Sequence, residues 1–236
     1  MRSRPALLFA ISALVYLTVG MYLALAVGYL QGDTLSRVAD TRSVLHSRDP
    51  HLAAIGFIFT PLTALLQLPT VWFSEWFPEL TGRGLSAIVV SAPAMAGAVV
   101  QVNAIARERQ CPTWMTWVLT AAFALHPMMI YYGANGMSEA LFVFLILWAV
   151  RRLVRWMTTD DVHDLLVAGL ALGLAYLTRY DALAASGAVT LLVVAVAWHR
   201  SRDRTAAIVD GLVVALPTAL AFVVWSATSW LITGNM

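Results

Sequence analysis

The chain has 236 residues, of which 60% are hydrophobic and only 12% charged, at a net charge of +2; its mean hydropathy is +0.76, whereas a soluble globule carries about a quarter charged residues. This places the chain in a lipid bilayer and excludes an ordinary soluble domain. Every basic residue is Arg, scattered among short loops rather than gathered on one face, which argues against nucleic acid as a partner. The single cysteine, Cys111, excludes an internal disulfide and a cysteine-based metal centre.

In chain order, the first apolar stretch is 6–30, longer than the core of a signal peptide and without a small-residue cleavage site, so it reads as a retained anchor. Further stretches of spanning length fall at 84–106, 113–132, 137–154, 162–178, 182–198 and 211–232, which predicts an all-α bundle of about seven transmembrane spans in one membrane domain. The run 52–68 is apolar but interrupted by Pro61 and followed by Pro69. With 52–68 left out as a re-entrant or interfacial segment, Arg2, Arg4, Arg107, Arg109, Arg151, Arg152, Arg155, Arg200, Arg202 and Arg204 share one side. Only Arg37, Arg42, Arg48, Arg83 and Arg179 then lie opposite. That asymmetry is the positive-inside pattern: a plasma-membrane protein with a cytoplasmic N-terminus, an outer loop over 31–83, outer turns near 133–136 and 179–181, and an extracytoplasmic C-terminus.

Trp72, Trp76, Trp114, Trp117, Trp156, Trp198 and Trp230 flank the apolar runs, as ring systems suited to the interface do. Gly169 and Gly173, four apart, allow a close helix crossing in lipid. The arginine-rich inner loops read as topology anchors without chemistry, and the inner placement of Asp160, Asp161, Asp203 and Asp210 excludes them from the site. No internal repeat of the kind that builds alternating-access transporters is visible, and the polar residues crowd at one face rather than mid-span, against a transporter.

The outer segments carry the chemistry. Asp33, Arg37 and Asp40 stand at i, i+4 and i+7, on one helical stripe, with Leu35, Val38 and Leu45 to another side. The stripe also admits a plainer reading, Asp33 as an N-cap paired internally with Arg37. Ser138 and Glu139 open the fourth span, and Arg179-Tyr180-Asp181 closes the fifth. Here too the alternatives are a helix N-terminal acid and a snorkelling arginine paired with Asp181. A carboxylate at a lipid–water boundary can take a proton from an acceptor hydroxyl, and an arginine can hold a phosphate bidentately. Together they suit glycosyl transfer from a polyprenyl phosphate, without a metal or cofactor.

Gly32-Asp33 just after the first span, SRDPHLAAIGF at 47–57, GANGMSEALF at 133–142 and YLTRYDAL at 176–183 resemble integral-membrane glycosyltransferases of the GT-C fold, over nearly the whole chain. The resemblance implies a shared N-terminal module of about seven spans, an acidic base in the first outer loop, matched here by Asp33, and a polyprenyl- or dolichyl-phosphate sugar as donor. It implies substrate-binding positions at Asp40, Glu139 and Arg179, to which the outer stripe and turn add Arg37, Tyr180 and Asp181 as candidates, and a glycan, lipid or protein acceptor; inversion is the usual outcome in that superfamily. Its members usually continue past the seventh span, so the resemblance also raises the expectation of a longer parent protein or a downstream partner chain. The competing reading from another class is a non-catalytic membrane subunit that binds lipid-linked sugar or scaffolds a partner.

Overall fold

Runs of Leu, Val and Ala between arginine-bearing turns fold as helices because a backbone in hydrocarbon must satisfy its own hydrogen bonds. The computed structural model describes residues 5–234, and among them every regular element is a helix. α1 (Pro5–Tyr22) continues through a π turn, Leu23–Val27, and stops at Gly28 in the left-handed conformation. It is followed by α2 (Gly32–His46), α3 (Leu62–Val71), α4 (Glu79–Gly82), α5 (Leu85–Glu108), α6 (Thr113–Ala124) and α7 (Pro127–Ala134). The chain goes on through α8 (Glu139–Thr159), α9 (Val162–Tyr176), α10 (Ala182–Ser201) and α11 (Arg204–Thr233).

Four of these are long and apolar enough to cross a membrane: α1 with its π turn, α5, α10 and α11. α8 has 21 residues, but Arg151, Arg152 and Arg155 charge its C-terminal half, and α9 has 15. α11 begins at Arg204, a full two turns ahead of the apolar stretch that marks it in the sequence. α3, ten residues and about 15 Å long, is too short to cross.

The apolar stretch 113–132 is broken into two helices, α6 of 12 residues and α7 of 8. The cause is Pro127, which lacks the N–H that would continue the ladder and crowds the preceding turn. His126 N-caps the new helix, its ring nitrogen accepting from the N–H of Met128 at 3.2 Å. The break frees carbonyls at the end of α6, and the hydroxyl of buried Tyr16 donates to that of Ala124 at 2.9 Å.

The chain divides into two compact units, Met1–Phe144 and Leu145–Met236. In the first, α1, α6 and α7 pack along α5, as do the short helices of the 31–83 segment. α5 serves as the centre because its buried face is small: Ala87, Ser91, Ala92, Ala96 and Ala98 let neighbours approach. Buried polar pairs then join the helices, with Ser91 donating to the carbonyl of Gly133 at 2.9 Å and the Asn103 amide to Thr120 at 3.0 Å.

In the second unit α11 packs against α9 and α10, around Leu153, Trp156, Leu165, Leu172, Val193 and Val214. The Gly169/Gly173 expectation holds. A Cβ at Gly169 would stand 2.8 Å from the Val214 carbonyl oxygen, and one at Gly173 3.0 Å from that of Pro217, so α9 meets the α11 backbone where only glycine fits.

Candidate active site

α2 starts where the chain turns out of α1. Gln31 is its extended N-cap residue, and Asp33 stands in the first turn, where the helix dipole favours an acid; the capping position is therefore not Asp33. The turn is anchored by Thr34, buried, whose hydroxyl donates to the carbonyl of Asn135 at 2.9 Å. Asn135 folds its own loop by accepting from the N–H of Met137 at 2.9 Å. Gly136 follows with φ +76, and a Cβ there would lie 2.7 Å from that of Ala87 and 2.8 Å from Cγ2 of Thr34. Two outer segments read separately in the sequence, Gly32-Asp33 and 133–139, thus interlock at one end of the first unit. Asp33 is exposed there, and Glu139, half-buried, opens α8 from the same loop.

The rest of the α2 stripe divides between faces. The buried residues are Thr34, Arg37, Val38, Thr41 and Val44. Arg37 is only 8% exposed, donates to Thr63 at 3.0 Å and lies over the Phe59 ring at 4.1 Å. Asp40 is half-buried, and burial pushes its carboxyl above the ordinary value while the Arg37 charge pulls it back. At the far end of α2, His46 faces the Glu75 carboxylate and the Val71 carbonyl, each at 3.3 Å.

Sequence reasoning missed a polar aromatic cluster beside Asp33. Tyr29 and Tyr131 bring their hydroxyls to 2.9 Å of each other, and both contact Oε1 of Gln31, at 3.0 and 3.3 Å. Tyr29 stands near the end of the first apolar stretch, 6–30, and nothing in its local sequence marks a partner at Tyr131. Arg83 was missed as well: it donates to the carbonyls of Ala24 and Leu25, at 3.3 and 3.2 Å, covering the groups the π turn leaves free.

In the second unit, Arg179-Tyr180-Asp181 forms the turn between α9 and α10. Nε of Arg179 donates to Asp181 at 3.0 Å, and Tyr180 accepts from the Trp225 indole at 3.3 Å. Three of the arginines on the side read as inner also form ion pairs within the unit. Asp164, 1% exposed, takes Arg152 at 2.8 Å and Arg155 at 3.3 Å, and Arg200 pairs with Asp160 and donates to the carbonyl of Met157 at 2.9 Å. Among the described residues no three His, Cys, Asp or Glu side chains gather as a metal centre would require.

Four helices long and apolar enough to cross a membrane, in a chain whose described elements are all helical, define a helical membrane protein. A family model described as dolichyl-phosphate-mannose-protein mannosyltransferase matches residues 68–225, more than half of the chain, and the chain belongs to that family. The resemblance drawn from the sequence is therefore borne out at the level of the family. Membership implies a membrane glycosyltransferase of the mannosyltransferase type and a lipid-linked sugar donor. The matched range contains Glu139 and Arg179-Tyr180-Asp181, whereas Asp33, Arg37 and Asp40 precede it. No curated protein and no solved structure matches the chain.

Proposed function

We propose that the chain moves a sugar from a polyprenyl-phosphate donor to an acceptor hydroxyl on the extracytoplasmic side of the plasma membrane, with Asp33 as general base. The observation that carries this reading is the interlock of α2 with the 133–139 loop, which sets an exposed carboxylate at the end of a bilayer-length helix in a chain of this family. In the reaction Asp33 takes the proton of the acceptor hydroxyl as that oxygen bonds to the anomeric carbon. The bond from that carbon to the phosphate oxygen breaks, and its electron pair leaves with the lipid phosphate. A single displacement of this kind inverts the anomeric centre.

Arg179 supports the growing phosphate charge, held in aim by Asp181, with Tyr180 beside it. Glu139 and Asp40 contact substrate hydroxyls, and Arg37 acts from beneath, fixing α2 and moderating Asp40. The accompanying topology has seven crossings, in which α6 and α7 together make the third and α8 and α9 the fourth and fifth. The acceptor is a glycan, lipid or protein.

Membranes expressing the protein, supplied with radiolabelled polyprenyl-phosphate sugars, test the reading. Loss of general-base catalysis in Asp33→Asn lowers transfer by about 10²- to 10⁴-fold while leaving folding and donor binding intact. A fully active Asp33→Asn protein would refute the base, and no transfer from any donor would favour a non-catalytic, lipid-sugar-binding subunit.

A further inference from the structure

The cluster formed by Tyr29, Gln31 and Tyr131 has chemistry that the structure of the first unit does not consume. Two phenolic protons serve three short contacts, at 2.9, 3.0 and 3.3 Å, which leaves oxygen lone pairs of both tyrosines without a donor. The Gln31 amide uses only its oxygen; its N–H₂ group has no hydrogen-bond partner among the described residues. The rings are accessible: Tyr29 is 43% exposed, and Tyr131 and Tyr132 are half-exposed and tilted against each other at 5.6 Å.

Paired acceptors, a forked amide donor and an apolar ring face make up a surface that a pyranose fits. Its hydroxyls both donate and accept, and its C–H face is apolar. None of the three residues is cationic, so a bare phosphate finds no charge complement there. Position selects among sugars. Gly28 ends the first apolar helix one residue before Tyr29, and Gln31 caps α2 two residues before Asp33. A sugar tethered through phosphate to a membrane-buried polyprenyl tail is held at that depth, whereas an acceptor arrives from the aqueous side.

We propose that Tyr29, Gln31 and Tyr131 form the subsite that holds the sugar ring of the lipid-linked donor beside Asp33. This rests on the glycosyl-transfer reading and adds to it which residues distinguish a sugar-bearing lipid phosphate from a bare one.

The test measures binding of polyprenyl-phosphate mannose and of the same polyprenyl phosphate without sugar to purified protein in lipid nanodiscs. The proteins compared are the wild type, Tyr29→Phe, the Tyr29→Phe/Tyr131→Phe pair and Gln31→Leu. The phenylalanine variants keep the rings and remove only hydroxyls, and Tyr29→Phe alone changes an exposed group, so at least one variant folds. Loss of one hydrogen bond weakens mannosyl-lipid binding by about fivefold and loss of two by about tenfold or more, with affinity for the bare lipid phosphate unchanged. A purely structural role would move both affinities together. Equal losses for the two lipids, or an unchanged ratio in every variant, overturn the subsite. If the ratio is unchanged while the wild type shows Asp33-dependent transfer, the subsite fails and the enzyme reading stands. If the wild type neither prefers the mannosyl lipid nor transfers, the enzyme reading fails and takes the subsite with it.

Discussion

Arg37 and Arg179 carry the same charge and occupy very different surroundings. Arg37 is enclosed by Thr63 and the Phe59 ring, while the Arg179 side chain is 33% exposed and its Nε donates to Asp181. In the proposed mechanism it is the second that meets the donor phosphate, for which a guanidinium provides a planar fork that binds two oxygens at once. Arg179→Lys keeps the charge and loses the fork, so affinity for the lipid-phosphate donor falls by about tenfold while the melting temperature holds; unchanged donor affinity would remove Arg179 from the site. Spacing alone predicts the Asp33–Arg37–Asp40 stripe but not that its middle member is buried. The groups that enclose Arg37 lie more than twenty residues further along, and helical periodicity says nothing of them. The same holds for Tyr29 and Tyr131, which are about a hundred residues apart.

At the scale of elements, hydropathy marks each long helix but not the break between α6 and α7. Residues 113–132 are apolar almost throughout, and hydropathy does not weigh the missing N–H of Pro127, so the α6–α7 break is present in the sequence but not in its hydropathy. Gly169 and Gly173, in contrast, declare their packing locally, because a glycine pair on one helix face has few other uses in lipid. The α8–α9 hairpin shows a further limit. Its arginines read as charges for the membrane surface, yet Arg152 and Arg155 close on Asp164 in the hairpin interior. Removing the acid leaves uncompensated guanidinium charge against buried apolar surface, so Asp164→Ala destabilises the protein by about 3–5 kcal/mol, read as an earlier melting transition in detergent. The triple variant Asp164→Leu/Arg152→Met/Arg155→Met restores most of it, since buried ion-paired groups replaced by apolar ones of similar size cost little. A single variant that melts like the wild type would show that the pair is not holding the hairpin.

For the molecule as a whole, the arginine asymmetry demands an even number of crossings between Cys111 and Ser201. That parity depends on α6 and α7, each too short to cross alone, together making one crossing. At about 1.5 Å per residue their 12 and 8 residues reach about 30 Å, close to the hydrocarbon thickness, only if they stack end to end. Cys111 is the chain's one thiol, partly exposed at the turn between α5 and α6, which makes sidedness directly measurable. In intact cells a membrane-impermeant maleimide should leave Cys111 unlabelled until permeabilisation. In a Cys111→Ser background, Arg48→Cys should label from outside, whereas Thr159→Cys and Ser201→Cys should label only after permeabilisation. Labelling of both Thr159→Cys and Ser201→Cys from outside would mean that α6–α7 turns back without crossing, and would carry the arginines of both later inner loops to the wrong side. Labelling of Ser201→Cys alone would place the fault in the 15-residue α9 instead. With every inner position protected and Arg48→Cys reactive, Asp33, fifteen residues before that label on the same loop, faces the side proposed for the transfer.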